Sequence, residues 1–392
     1  HQIRVHARHI GHPVMGDATY GSGNLGGAVI QVAAGGTLDI LDDGGTGLDA
    51  NISGDGDVDV RVSSLVFSGS LSGFTGTLDL IGGDIQMVMG SADSQIDADI
   101  TGSGGVIFNG TGTHTLNGNN DYAGATVVLG GTLALGNSAT LTNTDISLVS
   151  TAVTLDTTGT ATGGLSLGSG QTLSGTGSVL GDIEVTSGAG LAPGIMTISG
   201  SYTQASGGTM TIVASEFGVG DVAVTGAAQL DGGLHINQDS PVVLGHYYKI
   251  LTADSVTGTF DHSQITGTEL TLTPNTAVAV LYLDNGTDGN ADIDLVRILA
   301  TYEGDANGDG IVNPTDLASL TLNWLGTGQT WQGGDFNYDG TVNPTDLAAM
   351  TLNWLNSVTL VDGDSSGGGG VPEPTALALL GLGTVALMRR RR

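Results

Sequence analysis

The chain contains no cysteine, which excludes disulfides and thiolate metal sites. Rigidity must come from ladder hydrogen bonds or bound ions. Basic side chains are almost as scarce: between Arg8 and Arg389 they are Arg61, Lys249 and Arg297. Nucleic acid is gripped through its phosphates by Lys and Arg, so no nucleic-acid partner is expected. Charged residues are 12% and aromatics 4% of 392 positions, with a formal net charge of −30. Low charge beside 39% apolar residues argues against disorder. No HExxH or P-loop motif occurs, and before the C-terminal region no window holds a 3.6-residue apolar period. His1 is not followed by an apolar signal-peptide core, so a true start that is missing, processed away or wrongly joined is expected.

Glycine is abundant instead, at 68 residues. Short apolar or alternating runs recur at 28–32, 37–41, 58–62, 77–81, 125–129 and 132–135, separated by Gly-Gly, Asp-Gly, Ser-Gly or Asn-Gly corners. Such corners supply the positive φ of tight turns, and the runs read as strands. Gly-Gly-Thr-Leu appears at Gly35–Leu38 and again at Gly130–Leu133. Stacked solenoid coils, each burying its apolar face on the next, require this pattern. Residues 24–302 are therefore expected to form one continuous β-solenoid body. Two weaker matches are set aside. The GxGxxG of Gly21–Gly26 has no following helix, and the RTX-like start at Gly44–Asp49 lacks the tandem copies such calcium repeats need.

The run Thr113-His114-Thr115-Leu116-Asn117-Gly118-Asn119-Asn120-Asp121-Tyr122-Ala123-Gly124-Ala125-Thr126-Val127-Val128-Leu129-Gly130-Gly131-Thr132-Leu133-Ala134-Leu135-Gly136 resembles an autotransporter-associated β-strand repeat. Leu191–Gly194, Thr197–Gln204 and Tyr248–Phe260 resemble later coils of the same passenger-type proteins. The resemblance implies a mainly β chain, a right-handed parallel β-helix that is mostly non-catalytic. At the other end, His1-Gln2-Ile3-Arg4-Val5-His6, Gly11-His12-Pro13, Gly16-Asp17 and Tyr20-Gly21 resemble a segment near the end of the RluA-type pseudouridine synthase domain. In that family the catalytic Asp lies upstream of this segment, and Asp17 does not correspond to it. Residues 1–23 are read as a remnant without RNA-modifying activity.

A duplicated loop carries the strongest site signal. Asp305, Asn307, Asp309, Ile311, Asn313 and Asp316 occupy positions 1, 3, 5, 7, 9 and 12 of a twelve-residue calcium spacing, with Gly310 at the sharp turn. Thirty residues later Asp335, Asn337, Asp339, Thr341, Asn343 and Asp346 repeat it. Position 7, Ile311 or Thr341, would contribute its backbone carbonyl. Calcium needs six or more hard oxygens, which alternate residues of a wrapped loop can supply, so two Ca2+ ions are expected. Asn313 and Asn343 also read as N-caps of helices over about 313–325 and 343–355, with Pro at N1 and Asp at N3. Leu317, Leu320, Trp324 and Leu325 on the first, and Leu347, Met350, Trp354 and Leu355 on the second, are spaced for mutual packing.

Asp rather than Glu at position 12 is the dockerin pattern, and residues 303–356 resemble a type I dockerin, which implies a cohesin-like partner. Positions 10 and 11, which help choose that partner, are Pro314-Thr315 and Pro344-Thr345 rather than the family's hydroxyl pair. A calcium-rigidified spacer is the alternative.

Residues 357–370 read as a flexible linker ending in Gly367–Gly370. Val371-Pro372-Glu373-Pro374, an apolar run to Met388 and Arg389–Arg392 then resemble a PEP-CTERM sorting signal. The apolar run would span about 20 Å as a helix, short against roughly 30 Å of hydrocarbon, and the Arg cluster would stay cytoplasmic. The resemblance implies transient membrane contact, processing by an exosortase-type enzyme, and delivery to the surface or extracellular matrix. The whole reads as a non-enzymatic secreted or surface protein whose solenoid is a display or adhesion rod, with a cohesin-like protein or a matrix polysaccharide as the candidate partner. A polysaccharide-acting β-helix hydrolase with paired Asp is the enzymatic alternative, and a truncated pseudouridine synthase fusion is the second.

Overall fold

The computed structural model describes residues 3–8, 28–42, 47–61, 63–88, 93–142, 145–215, 218–240, 242–268, 274–284 and 292–363. The GxGxxG match, residues 9–23, residues 364–370 and the whole sorting tail, Val371, Pro372, Glu373 and Pro374 included, lie outside them. The chain is mainly β and divides into two compact units, His1–Asp182 and Ile183–Arg392.

In the first unit the short runs become parallel strands stacked coil on coil. One column of inward residues runs Leu38, Val58, Leu78, Ile100, Asn120, Leu141, each paired with the next in register. A second column runs Leu48, Phe67, Met87, Phe108, Val128, Leu148. All of these side chains are buried. Strand residues alternate between faces, so a four-residue run with two apolar positions can fill one such column while its polar positions stay wet. Burial of each large aliphatic or aromatic side chain is worth about 1.5–3 kcal/mol, and the stack repeats it at every coil. Asn120 is the polar member of its column, and its amide donates to the carbonyls of Gly118 and Thr140. On the outer face Asp39, Asp59 and Asp79 stack, and Arg61 bridges the first two. Ile3–Arg8, from the synthase-like segment, runs antiparallel to Thr37–Asp42.

The second unit begins in the same parallel style, with the buried column Ile183, Tyr202, Ala228, Val256. It then changes. His246–Thr252 pairs antiparallel with Leu295–Tyr302, which pairs antiparallel with Thr276–Leu283. The parallel coil thus ends in an antiparallel hairpin, and the two acidic loops follow it directly.

Helix α1 spans Pro314–Leu322 and α2 spans Pro344–Leu352, nine residues each. Both are shorter than the thirteen residues expected. Past the C-caps Asn323 and Asn353, Leu325 and Leu355 adopt left-handed φ of 61° and 66°. Their N–H groups donate to the carbonyls of Val342 and Val312, so each helix ends where its chain turns to pair with the opposite loop. A second expectation is corrected with it. Trp324, Leu325, Trp354 and Leu355 are exposed rather than packed between the helices, at 40%, 66%, 38% and 68%. Leu320 and Met350 are the buried apolar residues of the two helices. Residues 357–363, assigned above to the linker, are held by hydrogen bonds from Val358 N–H to Gly310 and from Val361 N–H to Gly245, and by pairing of Val361–Asp362 with His246–Tyr247.

Candidate metal centre

Each loop is fixed at its exit by a capping box. The side chain of Asn313 accepts from Thr315 N–H at 2.8 Å, while Asp316 accepts from Asn313 N–H at 2.9 Å. Asn343 and Asp346 repeat the arrangement with Thr345. Pro at N1 costs nothing there, since that N–H would have no helical partner. The loops are then laced together. Val312 N–H donates to Asn356 and Val342 N–H to Gly326, so each loop is anchored by the chain leaving the other helix.

Within loop 1, Asp305 accepts from the N–H groups of Asp309 and Gly310 and from the hydroxyl of Thr301 at 2.6 Å. The remaining oxygen of Asp316 takes Ala306 and Asn307 N–H. Asn307 accepts from Asp309 N–H and donates to its carboxylate, and Asn313 donates to the carbonyl of Ile311. Loop 2 reproduces these bonds through Asp335 to Gly340, Asp346 to Phe336, Asn337 to Asp339 and Asn343 to Thr341. All twelve expected residues are therefore drawn into two compact turns. Their oxygens are largely engaged by N–H groups of the same loop, and among the described residues no three Asp, Glu or His side chains form a metal-sized cluster.

The electrostatics nonetheless fit a divalent cation. Asp305, Asp316, Asp335 and Asp346 are fully buried. Burial raises all four carboxyls above the ordinary range, opposed by the N–H donors and reinforced by the neighbouring loop carboxylates. Asp335 is pushed up to about 6, and its Oδ1 is buried without a hydrogen-bond partner among the described residues. A buried carboxylate that repels its neighbours and has one oxygen without a donor is stabilised when a positive charge joins it. The donors are all hard oxygens, the set calcium prefers.

Several residues packed against the loops gave no sequence signal. Trp331 is fully buried and donates its indole N–H to the carbonyl of Asp305 at 2.7 Å. Its ring meets Phe336 edge-on and Tyr338 at 5.6 Å. His262 stacks on Tyr338 and lies 3.9 Å from Asp335. Burial pushes that imidazole down to about 4, so at neutral pH the contact is packing rather than an ion pair. The one legible hint was Tyr338 at a loop position where the first copy has Gly308.

The arrangement defines a class: a parallel β-solenoid ending in a paired, capping-box-closed acidic loop module. Comparison with known proteins names the module, since residues 303–356 match the dockerin type I domain and residues 370–392 match the PEP-CTERM protein-sorting motif. The chain is 33% identical over 136 residues to the Adhesin BmaC autotransporter of Brucella suis biovar 1 (strain 1330). That match covers 32% of this chain and 3% of the adhesin, so the chain spans a small part of that protein's length. Among the described residues no helix is long and apolar enough to cross a membrane.

Proposed function

We propose that this chain is a non-enzymatic secreted or cell-surface protein whose solenoid is an adhesive or display rod and whose dockerin domain is a calcium-dependent docking module. Asp305, Asn307, Asp309, Ile311, Asn313 and Asp316 would hold one Ca2+, and Asp335, Asn337, Asp339, Thr341, Asn343 and Asp346 a second. The ion supplies the positive charge that four buried carboxylates lack. The PEP-CTERM tail supports delivery through transient membrane anchoring and exosortase-type processing. The likeness to an adhesin supports the rod's role in attachment to a matrix polysaccharide or protein.

One observation carries the docking role. Leu317, Leu320, Thr321, Trp324 and Leu347 line an open apolar groove of about 380 Å³ between α1 and α2. Leu322, Leu325, Leu352, Trp354 and Leu355, on the same two helices and their exits, are also exposed. An open apolar groove among exposed large apolar side chains supports an interaction surface. Pro314-Thr315 and Pro344-Thr345, at the starts of the two helices, are exposed, so the partner is a cohesin-like protein whose contacts suit Pro-Thr rather than a hydroxyl pair. The test is calorimetric titration of the full chain with calcium, then with a panel of cohesin domains in calcium and in chelator. Saturable calcium binding and calcium-dependent capture of a cohesin support the reading. No heat from calcium, or equal cohesin binding in chelator, defeats it.

A further inference from the structure

The hairpin strand Thr276–Leu283 pairs with Leu295–Tyr302 along one side. Along its other side the backbone groups of Val278, Val280 and Tyr282 would form an open β-edge, the feature through which strands of separate molecules join. That edge is filled. Val278 N–H donates to Thr268 O at 2.8 Å. The Tyr338 hydroxyl accepts from Val280 N–H at 3.0 Å and donates to Val278 O at 2.8 Å. The Gln332 amide accepts from Tyr282 N–H and donates to Tyr282 O, both at 3.0 Å. Each side chain thus satisfies one donor and one acceptor, as a neighbouring strand would.

Two further observations indicate that the dockerin domain is built for this contact. Tyr338 holds a left-handed φ of 58°, a conformation costly for a side chain of its size. The equivalent residue of the first loop is Gly308, φ 66°, and a Cβ there would stand 2.5 Å from Leu281 Cδ1. One loop therefore lies flush on the strand and the other projects a peg onto it. The peg is buried, and His262 stacks on its ring from the solenoid side. The α2 C-cap completes the seam, with Asn353 donating to the carbonyls of Asn275 and Glu303 at 2.9 and 2.8 Å.

We infer that the dockerin domain is also the C-terminal cap of the solenoid: Tyr338 and Gln332 occupy the hydrogen-bonding places of a missing strand and keep a second copy of this chain from pairing there. Solenoids need a polar terminus to remain soluble, and here a domain able to recruit a partner provides it.

The test uses the full chain at saturating calcium, comparing wild type with Tyr338→Phe, which keeps the buried ring, with Gln332→Ala, and with the double variant. Amide hydrogen exchange is followed at Val280 and Tyr282, with size measured by sedimentation over a range of concentrations. The single variants should speed exchange about tenfold or more, Tyr338→Phe at Val280 and Gln332→Ala at Tyr282, each leaving the first unit unchanged. The double variant should self-associate with rising concentration. Wild-type exchange at both amides, or a double variant that stays monomeric, overturns the cap. If the double variant does not fold, the single-variant exchange rates decide. Calcium titration of the same samples is a separate readout, so failure of the docking role is distinguishable from failure of the cap.

Discussion

The indole N–H of Trp331 and the backbone carbonyl of Asp305 are joined by a 2.7 Å hydrogen bond inside the dockerin domain. The bond ties the first residue of loop 1 to the aromatic cluster of Trp331, Phe336 and Tyr338 around loop 2. Calcium binding to either loop should therefore perturb one buried indole. Tryptophan emission of the full chain should change on calcium addition and reverse with chelator. Trp331→Phe should abolish most of that change while Trp324→Phe and Trp354→Phe preserve it. Loss of the signal in the exposed-site variants instead would contradict the assignment.

Trp324 sits at the groove between α1 and α2 and is 40% exposed. Its removal leaves no cavity, so Trp324→Ala should shift unfolding by no more than about 0.5 kcal/mol. It should nevertheless weaken binding of a cohesin-type partner by about 2 kcal/mol or more, as aromatic anchors do. Denaturant melts and calorimetry on the same variant check both halves.

Phe108 lies in the second inward column of the first unit, between Met87 and Val128, and is fully buried. Phe108→Ala should cost about 3–5 kcal/mol through lost transfer energy and a cavity. Chemical denaturation should show the loss as a lower midpoint. A cost below about 1 kcal/mol would mean that the coil stack closes over the gap.

His114 is buried, bonded to Ser94 Oγ at 3.0 Å through Nδ1, with Nε2 unpartnered among the described residues. Burial holds its pKa below the ordinary 6.5, against a small opposing pull from Asp93. The unfolded chain then binds a proton that the folded chain does not, so His114 subtracts stability as pH falls through 6.5. His114→Leu should lose less stability than wild type between pH 7 and about pH 5. Equal slopes in the two proteins would remove His114 from the account.

The Val371-Pro372-Glu373-Pro374 motif precedes an apolar run and four arginines. Intact-mass measurement of material recovered from its native cell surface should find a chain ending near Pro374. A mass that includes Arg392 would show that the tail is kept.

Much of this architecture was legible residue by residue. The runs 28–32 and 132–135 are strands with the bounds their composition gave, because Gly corners and alternating apolar residues leave a short strand little freedom. The N-caps Asn313 and Asn343 were readable for the same reason: a capping box is closed by residues three apart. The helix ends were not. Leu325 and Leu355 look like continuing helix in sequence, but their N–H groups are bonded to Val342 and Val312 across the pseudo-repeat.

The sequence by itself determined the strand spacing, the two acidic loops and the caps, since each depends on side chains within a few residues of one another. Tertiary structure alone decided which apolar residues are core. Trp331 is buried and Trp324 and Trp354 are not, because the module's inner side is taken by the hairpin strand Thr276–Leu283, reached through Tyr338 and Gln332. That strand lies 50 or more residues away in the chain, beyond the reach of any local pattern. Its open backbone edge, not the hydrophobicity of the two helices, sets which way the module faces.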